Sequence, residues 1–433
     1  MNSETDVRDL ARDLMNRHRP GRTSNQPPAR RRRGLESHPL IEQARSARQT
    51  LAELTARGVA NPFFVPHDGV SGPTIDMLGR QLINFSTANY LGLGYHPQVV
   101  AAAKEAIDQY GMSVSAGRAV SGEIPLYSDL EQRLAGAYGV DDAVITTSGY
   151  LANAAMIAFL LTSTDLAVCD ALVHSSVVAG TQWAQCRRVM FRHNDPESLA
   201  AILRRMRGSA ERAMVIVEGA YSMDGDIVAL PEVLCVAREF DCLVMVDEAH
   251  SFGTVGEHGW GVRERYGLPG DAVDVWMGTL SKSLASCGGF LAGNGELMWA
   301  IRLLGPGLGL FIAPPTPAQV AASIAAFDVL RAEPQRVDRL RVNAAHALAV
   351  AHEAGWDTGA SAGTPIVPLI IGDTIATIEL STWLWQNGVN ASPIPQAAVG
   401  DGQDRIRLFL SSDHTPDQIA RLGSLLGQYR AAS

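Results

Sequence analysis

The stretches CLVMVDEAH (242–250) and DVWMGTLSKS (274–283) decide the fold. Each is an apolar run with little polar alternation, closed by charged and hydroxyl side chains. A strand apolar on both faces is covered on both faces, the condition of a parallel sheet between helices. Working outward, AVITT (143–147) and AMVIVEG (213–219) repeat the pattern, with helical stretches between them. This alternation predicts an α/β domain, with ligands at the carboxyl ends of the strands. Residues 97–111 (PQVVAAAKEAIDQYG) predict an amphipathic helix stopped by Gly111. Long helices are expected over 316–355 and a smaller α+β unit over 365–433. Towards the amino terminus, 40–58 reads as a helix and 63–85 as short strands joined by Gly/Pro turns.

Composition narrows the function classes. No apolar run in the 433 residues reaches the length of a membrane helix, and the amino terminus carries no apolar signal core. Five scattered cysteines without a CxxC pair argue against a zinc site or a disulfide framework, and for a reducing cytoplasm. The net charge is −9. Residues 1–40 hold nine arginines against five acidic residues, so the remaining body is strongly acidic and unsuited to nucleic acid. The basic tail, with Arg30, Arg31, Arg32 and Arg33, lacks helical periodicity and is expected to be a disordered arm.

The strand ends carry the chemistry. Ser148, Gly149 and Tyr150 follow AVITT at a strand-to-helix turn, where free amides suit a phosphate. His174 follows LAVCDAL, Ser222 follows AMVIVEG, and Asp247 and His250 close CLVMV. Thr279, Ser281 and Lys282 close DVWMG. Of the 36 basic residues, only Lys104 and Lys282 are lysines. Arginine cannot form an imine, so a surviving lysine among these clusters points to chemistry. Lys104 sits beside Glu105 on the 97–111 helix and reads as a solvated surface charge. Pyridoxal 5'-phosphate (PLP) requires a lysine for imine formation and a carboxylate at its ring nitrogen, which Lys282 and Asp247 supply. His174, Asp247 and His250 offer zinc-type side chains, but their separation and the nearby lysine argue against a metal.

At this point the sequence resembles the α-oxoamine synthases of PLP fold type I from about residue 80 to 430. The segments that carry the resemblance are NFSTANYLGLGYHP (84–97), GRAVSGEIPLYSDLE (117–131), TSGYLANAA (147–155) and DALVHSSVVAG (170–180). They continue with VEGAYSMDGD (217–226), VDEAHSFGTVGEHGWG (246–261), GTLSKSLASCGG (278–289) and RIRLFLSSDHT (405–415). The resemblance implies a mainly parallel sheet in a large domain and a smaller α+β carboxyl-terminal domain. The expected parts are the basic arm at 1–40, a helix with short strands at 41–80, a large PLP-binding domain at 81–325 and a small domain at 326–433. It also implies roles. Lys282 is the Schiff-base lysine and proton-transfer base. Asp247 pairs with the ring nitrogen, and His174 stacks on the ring. His250 and Ser222 hydrogen-bond near its phenolic oxygen. Ser148, Gly149, Tyr150, Thr279 and Ser281 surround the phosphate. Arg407 grips the amino-acid carboxylate, and Asn89 lies close to the reacting carbon.

Three departures from the family pattern stand out. Ile312 and Ala313 replace a Ser-Thr pair whose hydroxyl reaches the phosphate across the subunit interface. Ser392 stands where some members carry a second arginine. The SGE of 121–123 replaces the SGT of glycine- and serine-using members. The activity implied is decarboxylative condensation of glycine, alanine or serine with an acyl thioester, giving an α-amino ketone. The acyl donor is acyl-CoA or an acyl-carrier protein, which the arginine-rich arm would suit. A homodimer with its active site at the interface is implied, with neither nucleic acid nor membrane insertion. Two alternatives remain: an aminotransferase of the same fold, sharing Lys282 and Asp247, and a non-catalytic subunit, which the retained lysine disfavours.

Overall fold

A computed structural model describes residues 34–56, 58–59 and 61–432. The Arg30–Arg33 run and most of the expected arm lie outside the described residues. The chain divides into two compact units, the first ending at Gly58 and the second beginning at Val59. In the first, a turn at Leu35–Ser37 precedes the helix Pro39–Ala56. Among the described residues, no helix is long and apolar enough to cross a membrane.

The second unit opens with the antiparallel strands β1 (His67–Asp68), β2 (Thr74–Met77) and β3 (Arg80–Asn84). Its main sheet contains β4 (Asp142–Thr146), β5 (Leu166–Asp170), β6 (Arg187–Phe191), β7 (Ala213–Glu218), β8 (Leu243–Asp247), β9 (Val275–Thr279) and β10 (Gly289–Gly293). The order is β4-β10-β9-β8-β7-β5-β6, and only β10 runs antiparallel to its neighbours. The smaller antiparallel sheet comprises β11 (Ile366–Ile370), β13 (Pro393–Ile394) and β14 (Arg405–Phe409). Between them in sequence, β12 (Val389–Asn390) pairs in parallel with β3.

The unbroken apolar runs are explained by two cores. Along β7, Val215 and Val217 enter one core while Met214 and Ile216 enter the other, the two-residue alternation of a strand. The helices Pro125–Tyr138, Pro196–Met206, Leu230–Glu239 and Pro317–Ala332 supply Leu130, Leu203, Val233 and Val320 to the first core. The helices Gly149–Leu160, Ser175–Ala184 and Gly295–Leu304 supply Met156, Val177 and Ile301 to the second. The expected division at 325/326 falls inside the helix Pro317–Ala332.

Strand β10 was not expected from GGFLAG, because glycine is a poor strand former. Close packing explains it. A methyl group on Gly289 would lie 2.7 Å from the Gly149 backbone, so only glycine lets β10 pass the start of the following helix. The helix over 97–111 is observed as Pro97–Tyr110, with Gly111 taking the positive φ of 74° that ends it. Lys104 is exposed on that helix.

Candidate active site

Four carboxyl ends of the main sheet deliver the polar side chains. Asp247 is the last residue of β8, and Lys282 lies in the loop after β9. His174 caps the helix after β5, and Ser222 lies just beyond β7. A cleft of about 360 Å³ separates Lys282, Ser281 and Ala285 from Ser71, Thr87 and Asn89. Lys282 makes no ion pair or hydrogen bond among the described residues. Burial pushes its ammonium down to about 8, against the opposing charges of Asp247 and Glu218 and with help from Arg407. A lysine in that range offers a free amine near neutral pH, whereas Lys104 does not lie in this cleft.

Asp247 is held from two sides. Its Oδ2 accepts a hydrogen bond from Asn153 Nδ2 at 2.6 Å, and its Oδ1 accepts one from the Ala249 amide at 2.9 Å. His174 Nδ1 lies 2.7 Å from Ser176 Oγ, and Ser176 Oγ accepts from Asn153 Nδ2 at 3.0 Å. Desolvation holds the His174 imidazole below its ordinary pKa, with the Lys282 and Arg407 charges adding to it and Asp247 opposing. His250 is buried with its Nδ1 2.7 Å from the Tyr90 hydroxyl. Burial, followed by the charges of Lys282 and Arg407, pushes this imidazole well below its ordinary pKa. It is therefore a neutral hydrogen-bonding group.

The start of the helix Gly149–Leu160 forms a close-fitting cradle. A methyl group on Gly149 would meet Met277 at 3.1 Å and Thr279 at 3.2 Å. The backbone therefore approaches β9 closely enough that a side chain would have to push its neighbours by a few tenths of an ångström, and the first amides of a helix have no intrahelical partner. Ser148 turns its hydroxyl to the Leu151 amide at 3.1 Å as the N-cap. The Thr279 and Ser281 hydroxyls donate to the Gly288 carbonyl at 3.0 and 3.4 Å. Tyr150 is half-exposed, edge-on to His174 at 6.0 Å. These three hydroxyls fix the shape of the turn, while free amides and a neighbouring lysine are the donors that suit a phosphate-bearing aldehyde.

Arg407 enters from β14. It donates to the Ser222 carbonyl at 3.0 Å, lies 4.4 Å over the Phe409 ring and makes no ion pair among the described residues. Ser392 is beside Ser86, with their hydroxyls 2.9 Å apart. Ile312 is half-buried and Ala313 exposed.

The structure thus brings Lys282 and Asn89 to one cleft, with Asp247, His174, His250 and Arg407 within electrostatic reach of Lys282 and Ser222 bonded to Arg407. Sequence reading missed Asn153, Ser176, Tyr90 and Glu218. Asn153 and Ser176 were visible as polar residues within apolar helices, and both are buried. Tyr90 adjoins Asn89 and is fully buried. Glu218 was visible as a charge ending an apolar strand. No group of three His, Cys, Asp or Glu side chains among the described residues is placed to hold a metal ion.

Comparison with known proteins follows the same line. The model of the aminotransferase class I and II family matches residues 80–424. The 8-amino-7-oxononanoate synthase of Treponema denticola is 37% identical over 355 residues, covering 82% of this chain and 89% of that protein. The serine palmitoyltransferase of Sphingobacterium spiritivorum is 33% identical over 367 residues, covering 85% and 91%. The solved structure of Sphingomonas wittichii serine palmitoyltransferase superposes with a TM-score of 0.86 at 29% identity, covering 92% of this chain and 99% of that one. A serine palmitoyltransferase solved with PLP superposes equally well, with a TM-score of 0.86 at 30% identity over 91% of this chain and 99% of that one.

Proposed function

The chain belongs to the α-oxoamine synthases within the class I and II aminotransferase family, and from that premise we propose that it condenses glycine, alanine or serine with an acyl thioester, releasing carbon dioxide and thiol. It is an acyltransferase, and its cofactor is PLP. The observation that carries the proposal is a buried lysine of lowered pKa facing a polar cleft, with a fixed carboxylate and an unpaired arginine nearby.

When bound, PLP supplies an electron sink for the α-carbon of the amino acid. Lys282 would hold it covalently, and Asp247 would keep its ring nitrogen protonated. The amides of Gly149 and Tyr150, at the positive end of their helix, would receive its phosphate, with Ser148, Thr279 and Ser281 shaping that turn. His174 would lie against its ring, and His250 and Ser222 near its phenolic oxygen. Arg407 orients the substrate carboxylate through a charge-assisted hydrogen bond, and Asn89 faces the reacting carbon across the cleft. Lys282 Nζ, neutral in part near pH 8, takes the α-proton and later returns one to the same carbon.

A homodimer fits the exposed apolar residues Met112, Val120 and Phe311. Their segments are neighbours, since a methyl on Gly117 would lie 3.5 Å from the Ile312 carbonyl. The acyl donor is a CoA or carrier-protein thioester. Supplying one acyl group in both forms, with each of the three amino acids, should give amino-acid-dependent thiol release with one donor. Amino transfer to a 2-oxo acid without thiol release would instead identify an aminotransferase.

A further inference from the structure

Two buried carboxylates stand side by side at the centre of the site. Glu218 and Asp247 end the adjacent strands β7 and β8 and are register partners, exposed by only 2% and 4%. Two such groups do not both ionise without a large cost. Their hydrogen bonds are unequal. Asp247 accepts from Asn153 and from the Ala249 amide. Glu218 accepts from the Ser222 amide at 3.1 Å and faces the His174 amide more loosely, so that its Oε1 is buried with no partner at hydrogen-bond distance among the described residues.

The orientation of the Asn153 amide follows from the chain of bonds it joins. The Ser176 amide, which can only donate, points at His174 Nδ1 at 3.3 Å. Nδ1 is therefore an acceptor, and the Ser176 hydroxyl must donate to it across 2.7 Å. The Ser176 oxygen then receives a proton from Asn153, so the amide nitrogen is the end that faces Ser176. That same nitrogen contacts Asp247 Oδ2. The reverse amide orientation would set two acceptors 2.6 Å apart unless Asp247 were protonated.

We propose that Asn153 is a positioning residue: it localises on Asp247 the single negative charge of the Glu218–Asp247 pair and leaves Glu218 a neutral acid. The inference rests on the reading of this cleft as the PLP site, where the charge is needed at the ring nitrogen. Facing the pair are Lys282 from the loop after β9, His174 after β5, Glu248 after β8, Tyr221 after β7, Tyr138 at the end of the helix Pro125–Tyr138 and Arg407 from β14, while His250 faces Lys282, Arg407 and His174 in turn. Burial first, then the charge of Asp247, lifts Glu218 well above the usual carboxylate range, which agrees with a neutral Glu218.

The test uses the full chain stripped of cofactor and titrated with PLP, followed by quenching of protein fluorescence and by cofactor absorbance across pH. Circular dichroism confirms folding. Asn153→Ala should weaken PLP binding roughly tenfold to a hundredfold, the value of a hydrogen bond to a charged group. Asn153→Asp should weaken it further and recover as pH falls and the added acid protonates. Glu218→Gln, the isostere of a neutral acid, should bind within roughly threefold of wild type. Binding by Asn153→Ala within about twofold of wild type, with an unchanged pH profile, would overturn the inference. So would equal losses in Glu218→Gln and Asn153→Ala. Borohydride reduction of wild type separates the two levels: if it does not trap PLP on Lys282, the cofactor site itself is misassigned and the inference falls with it.

Discussion

At the residue scale, the decisive property is the protonation of Lys282. Burial lowers its pKa to about 8, so its neutral form is populated well below the ordinary lysine value of 10.5. Attachment of PLP to the cofactor-free protein should therefore accelerate as pH rises, with a midpoint near 8. A midpoint near 10.5 would mean that the lysine is solvated. Lys282→Ala should abolish attachment, and Lys282→Arg should do the same despite keeping the charge. Arg407 belongs to the same scale. Removing its guanidinium (Arg407→Ala) should raise the KM for the amino acid roughly tenfold to a hundredfold, since a charge-assisted pair to the carboxylate is lost. PLP affinity should change little, and a cofactor-binding defect of the same size would place Arg407 elsewhere in the scheme.

At the element scale, the carboxyl ends of the strands are tied together by charge. His193, after β6, bonds to Asp170 at the end of β5 at 2.9 Å and to Asp226 beyond β7 at 3.1 Å. Desolvation opposes its charge, but bonds to Asp170 and Asp226 outweigh it and raise the pKa from 6.5 to about 10. A pKa raised on folding contributes stability that is complete below the unfolded value and is lost as pH rises through the folded one. The melting temperature of wild type should thus fall between about pH 6.5 and 10, and that of His193→Gln should fall less over the same window. Parallel curves would show that the triad carries no net charge linkage. Legibility also divides at this scale. Strands β7, β8 and β9 could be read because burial on both faces writes an unbroken apolar run. Strand β10 could not, because glycine at 289 answers to backbone contact with the Gly149 turn, which the linear sequence does not display.

At the scale of the whole molecule, the site draws on segments far apart in sequence: Asn89, Asn153, His174, Asp247, Lys282 and Arg407. His174, Asp247 and Lys282 were readable because each is a polar residue closing or just past an apolar run, Asn89 and Arg407 came from the family resemblance, and Asn153, inside an apolar helix, was missed. Their connections were not readable. The Asn153–Ser176–His174 bond chain depends on how two helices pack over the sheet, and Tyr90 and His250 meet across a long sequence separation beside Phe409 of β14. The central claim is that these pieces together drive condensation with loss of the carboxyl group. The most direct measurement uses carboxyl-labelled glycine, alanine and serine, each with an acyl thioester and the PLP-loaded protein. With the accepted amino acid, labelled carbon dioxide and free thiol should appear in equal amounts with the α-amino ketone. Thiol released while the label stays in the product, or label retained in a 2-oxo acid after amino transfer, would contradict it.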